Sequence, residues 1–111
     1  MDAEKFVDIV REMAVDDSVE AVQSNLIRPP GRKPDETLVA MSKWYNSLND
    51  NEKSLLLHVI KYSVRSSAFQ FLCVLDGSRA IEGEDKGELK LFYEKGNDKV
   101  WLNEKGLHEF L

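Results

Sequence analysis

The chain has 111 residues, a formal net charge of −5, 42% hydrophobic and 32% charged residues. That is the mixture of one folded domain, with length enough for a core and not for two domains. It excludes a large multi-domain enzyme, a collagen-like fibre and a disulfide scaffold, the last because Cys73 is the only cysteine.

Residues 3–14 read as an amphipathic helix, with Phe6, Ile9, Val10 and Met13 on one face. Asp16-Asp17-Ser18 are three cap-forming residues in a row, which favours two helices over one bent helix. Val19, Val22 and Leu26 carry the apolar face onward. The whole net charge sits in residues 1–20, where seven acids meet two bases. An acidic helix either solubilises the chain or steers a basic partner. It also repels phosphate backbones, so nucleic acid ranks last among partners.

Residues 28–34 hold three prolines and a glycine and cannot sustain a helix. Arg28, Arg32 and Lys33 make this loop the densest basic spot. It either holds an anion or stands as solvated charge, and no phosphate-binding glycine pattern accompanies it. Asp35 caps the next helix, expected to end near Ser47. Asn49 with Glu52 forms a capping box for a long helix from Asp50 to Asp76, closed by Gly77. The second half of that helix is apolar almost all round, which places it at the centre of its domain.

Residues 78–87 read as a polar connection. The period then changes to two. Gly96-Asn97 suits a type II′ turn, pairing Lys95 with Asp98, Glu94 with Lys99, Tyr93 with Val100 and Phe92 with Trp101. Leu91, Tyr93, Val100 and Leu102 then share one face. Residues 104–111 form a short tail. The expected fold is α+β and mostly α: four or so helices around a long central helix, then a C-terminal β-hairpin. Its parts are a helical portion over 3–76, a hairpin over 88–103 and the tail.

The blocks Arg28-Pro-Pro-Gly-Arg-Lys-Pro34, Trp44-Tyr45-Asn46 and Phe71-Leu-Cys-Val-Leu-Asp-Gly77, with Ser78–Glu82 and Lys86–Leu89, resemble a family of small uncharacterised bacterial proteins. The resemblance covers roughly residues 28–104. It implies no activity and no site residue. By analogy with similar small acidic proteins it implies an immunity or accessory role.

No cofactor or metal motif is present. His58 and His108 are far apart and share no ligand spacing. Asp76, Glu82, Glu84, Asp85 and Glu88 lie close enough to chelate a hard cation, but match no known loop and read as a solvated connection. Cys73, in the apolar run Phe71–Leu75, reads as a core thiol in a reducing compartment. It stands ~22 Å along one helix from His58, too far for a dyad. Ser66-Ser67 has no base nearby and no nucleophile elbow.

Two constellations remain. Phe92 and Trp101, with Tyr93 beside them in the hairpin, are the candidate interface residues. A Phe–Trp pair on an open sheet face marks an interface, unless the helices or the tail cover it. His58, Tyr62 and Arg65 form a polar stripe on the long helix, either a small-molecule site or a solvated edge. The leading expectation is a cytoplasmic, non-catalytic protein-interaction module, of immunity or accessory type or a homodimer through the hairpin. The alternative is a small-molecule binder or enzyme using the stripe. No apolar run approaches the ~20 residues of a membrane span, and Met1–Glu4 begin no signal peptide.

Overall fold

A computed structural model describes residues 1–79, 81–83 and 87–111. Ala80, Glu84, Asp85 and Lys86 lie outside the described residues, and with them part of the polar connection and of its acid cluster. The chain is α+β and mostly helical, with a two-stranded antiparallel hairpin near its end.

Helix α1 (Ala3–Val10) opens on Asp2, whose carboxylate accepts from the Lys5 amide at 2.8 Å. A wider π-helical turn (Arg11–Asp16) joins it to α2 (Asp17–Ile27) without a break. The expected break at Asp16-Asp17-Ser18 is therefore corrected. Asp16 (φ −65°, ψ −48°) and Asp17 (φ −65°, ψ −35°) stay helical. Packing outweighs cap propensity here. In a regular α-helix Val15 would lie ~80° around the axis from Val7. A turn closed by i→i+5 bonds takes up one extra residue, ~100°, and returns Val15 to the side of Val7. Both are buried. The expected face is corrected too: Phe6 and Val10 are half-buried, while Ile9 and Met13 are exposed.

Helix α3 (Glu36–Ser47) starts where Asp35 Oδ1 accepts from the Leu38 amide at 3.1 Å. Asn46 on α3 donates to the last carbonyl of α2, Ile27 O, at 3.1 Å, satisfying a helix-end acceptor and tying the two helices. Helix α4 (Asp50–Leu75) carries the full capping box: Asn49 Oδ1 accepts from the Glu52 amide, and Glu52 Oε1 from the Asn49 amide. Asn49→Ala is expected to cost ~1 kcal/mol, seen as a lower urea midpoint at unchanged slope. At the far end the Ser78 amide donates to Cys73 O (2.9 Å) and the Gly77 amide to Val74 O (3.2 Å). This is a Schellman close, and Gly77 takes the positive φ (73°) it requires.

The hairpin joins β1 (Phe92–Lys95) to β2 (Asp98–Trp101) in the expected register, Phe92 facing Trp101 and Lys95 facing Asp98. Gly96 has φ 60° and Asn97 a negative φ, the signs of a type II′ turn. The first strand begins at Phe92 and not at Glu88. Upstream, an Asn103 side chain takes over the work of a ladder, as described below. A 3₁₀ turn (Leu107–Phe110) ends the chain.

One core joins these parts. Val7, Leu72, Leu102 and Leu107 are buried together, with Leu91, Tyr93, Val100 and Leu111 packed against them. It lies at the C-terminal end of α4, whose 26 residues run ~39 Å. The other end of α4 lies against α2, which also packs on α3. The outline is correspondingly long, 50 × 37 × 29 Å, with a Cα radius of gyration of 18.3 Å. A close-packed chain of this length has ~13 Å. No helix among the described residues is long and apolar enough to cross a membrane.

Candidate functional site

The hairpin divides its side chains by face. Tyr93 lies half-buried on the core side. It is therefore on the opposite face from Phe92 and Trp101. Those two rings lie 6.1 Å apart between centroids. Neither is bare. Lys90 Nζ stands 4.8 Å over the Trp101 ring and Lys99 Nζ 4.5 Å over Phe92. The tail does not cover the pair, because Leu107 and Leu111 pack into the core on the other side. The open face is thus a cation-roofed aromatic pair, with Trp101 half-buried.

Asn103 makes this arrangement rigid. Its Oδ1 accepts from the Leu91 amide and from Trp101 Nε1, both at 2.8 Å. Its Nδ2 donates to Leu75 O at 2.7 Å and Leu89 O at 2.8 Å. One buried amide side chain therefore binds the last turn of α4, the strand approach and the indole. Sequence reasoning missed it, since an Asn after a strand looks like a turn residue.

The sequence places Asp76 among the solvated acids of the connection, and the structure corrects this. Its side chain is 2% exposed. Its Oδ2 accepts from the His108 amide (2.8 Å) and pairs with His108 Nδ1 (2.7 Å). The Phe69 ring meets the imidazole edge-on at 5.7 Å. Asp76 Oδ1 has no hydrogen-bond partner among the described residues. This dyad pins the tail to the end of α4. His108 is half-buried in this pair, whereas His58 is exposed. Among the described residues no group of three potential metal ligands forms.

The polar stripe is a surface. His58, Tyr62 and Arg65 are all exposed, and Arg65 donates to Leu111 O at 2.8 Å. Tyr62 and Arg65 join Phe69 and Leu111 around an open groove of about 400 Å³, and His58 is not among its walls. Arg28, Arg32 and Lys33 are exposed on the loop before α3. Among the described residues none of the three forms an ion pair.

The largest departure from expectation is apolar. Helix α4 is not enclosed. Leu55 (58%), Val59 (59%) and Tyr62 (76%) stand exposed along its outer side. Between α2, α3 and α4 runs a second apolar groove, of about 310 Å³, walled by Leu26, Met41, Trp44, Leu56 and Ile60. The second half of α4, expected at the centre because apolar surface needs cover, is covered in part: Leu72 and Cys73 are buried, while Phe69 and Phe71 stand exposed.

The chain matches no protein-family model, no curated protein and no solved structure.

Proposed function

We propose that this protein is a non-catalytic interaction module that works by offering apolar helical surface to another protein. One observation carries the reading. The chain exposes 8420 Å², ~2,200 Å² more than a close-packed monomer of 12.7 kDa. Complete exposure of the four undescribed residues accounts for under ~700 Å² of that, on unfolded-chain scaling. The remainder includes Leu55, Val59 and Tyr62 along one side of α4 and Met41 and Trp44 at the groove on its other side, large apolar surface of the kind that marks association sites. The anchor moves from the hairpin to the helices, because Phe92 and Trp101 already have lysine partners. The immunity and accessory roles suggested by the resemblance to small bacterial proteins are cases of this reading, and the free, buried Cys73 suits a reducing cytoplasm.

The test is small-angle scattering with an environment-sensitive apolar dye. The expected result is either association or an extended monomer, near 18.3 Å, that binds dye while unfolding cooperatively. A monomer near ~13 Å that binds no dye overturns the proposal.

A further inference from the structure

Helix α4 carries two stripes of different spacing, one wholly apolar and one apolar but for Ser66. Leu56, Ile60, Val64, Ala68 and Leu72 repeat every four residues and are half-buried or buried within the chain. Leu55, Val59, Tyr62, Ser66 and Phe69 repeat in steps of four, three, four and three, and all are exposed. Ile60 and Tyr62 are two residues apart, so their directions differ by ~200° and the stripes lie on opposite sides. The inner stripe is used by this chain. The outer one has the a/d spacing that packs one helix along another. It runs ~21 Å, and no acid stands on it.

We infer that the outer stripe of α4 is a homodimer seam, occupied by α4 of a second copy. The inference rests on the interaction reading above and names its partner. Two features select a second copy. A heptad-spaced apolar stripe is self-complementary under a two-fold axis, since each copy brings the same knobs and holes. The area also fits. Two chains that each hide the ~1,500 Å² left once the undescribed residues are discounted bury ~3,000 Å² together, within the range of obligate homodimers and above transient contacts. The seam is the anchor, and surfaces flanking it supply the rest of that area. Arg65, beside the seam, is held by Leu111 O, so the tail is part of the seam's wall.

The experiment is light scattering and sedimentation on the full chain and two variants. Tyr62→Glu changes the most exposed seam residue, leaves core packing untouched, and puts a charge into a desolvated interface twice per dimer. Phe92→Ser removes the hairpin aromatic instead. The expected outcome is a wild-type mass of twice 12.7 kDa. Tyr62→Glu should keep its helical circular dichroism and weaken association by at least ~100-fold. Phe92→Ser should remain dimeric. A Tyr62→Glu protein that dimerises like wild type overturns the seam, as does dissociation caused by Phe92→Ser alone. A monomeric wild type at ~100 μM, far above the dissociation constants of stable complexes, overturns the second copy. In that case an extended, dye-binding monomer leaves the interaction reading standing, and a contracted, dye-free one removes both.

Discussion

Asn103→Ala is expected to lower stability by ~3–5 kcal/mol and to loosen the hairpin from α4. The substitution strands two donors, the Leu91 amide and Trp101 Nε1, and two acceptors, Leu75 O and Leu89 O. A buried group left unpaired costs ~1–3 kcal/mol, and those near the surface recover part of it from water. The loss is a large share of the ~5–15 kcal/mol that holds a domain together. Urea unfolding measures it, and Trp101 fluorescence reports the freed indole. Asn103→Asp separates bonding from shape. It keeps the outline and sets a carboxylate oxygen against two carbonyls in place of Nδ2. It should be at least as destabilised as the alanine variant. An Asn103→Asp protein as stable as wild type would show that the amide does not carry the junction.

Asp76→Ala is expected to cost ~2–4 kcal/mol and to release the Leu107–Phe110 turn. The His108 amide and ring both lose their acceptor, and the pair is 2% exposed on the Asp76 side. Leu107 sits in the core, so the release is not confined to the tail. Hydrogen exchange at the His108 amide should speed up sharply, ahead of amides in the middle of α4. Asp76→Asn keeps an acceptor for the amide and should recover part of the loss. Ring nitrogen NMR offers a second readout: with Asp76 ionised, Nδ1 carries the proton in wild type, and the preference should vanish in Asp76→Ala. Unchanged exchange at His108 would sink the latch.

The elements that could be read from sequence were those decided within a few residues. Asp35 and Asn49 announce helix starts because a short acceptor reaches an amide three residues on. Gly77 announces a helix end because the close needs a positive φ. The hairpin register follows from alternation and a turn whose first residue must be glycine, which puts Phe92 on Trp101. What stayed hidden was long-range. Asp76 and His108 are 32 residues apart and Asn103 and Leu75 are 28 apart, and neither pairing has a local signature. The π-helical turn was hidden as well, since it serves to bring Val15 round to the side of Val7, where both are buried.

The sequence by itself determined the helix starts at Asp35 and Asn49, the helix close at Gly77, the hairpin register and the acidic N-terminal segment, because each depends on local hydrogen bonding, side-chain periodicity or simple charge count. Only the tertiary structure decided which apolar faces the chain covers. Leu55, Val59 and Tyr62 are as apolar in pattern as Leu56, Ile60 and Val64, and hydrophobicity has no direction. Which stripe is buried depends on where α2 and the π-helical turn come to lie, and the stripe left over stays exposed.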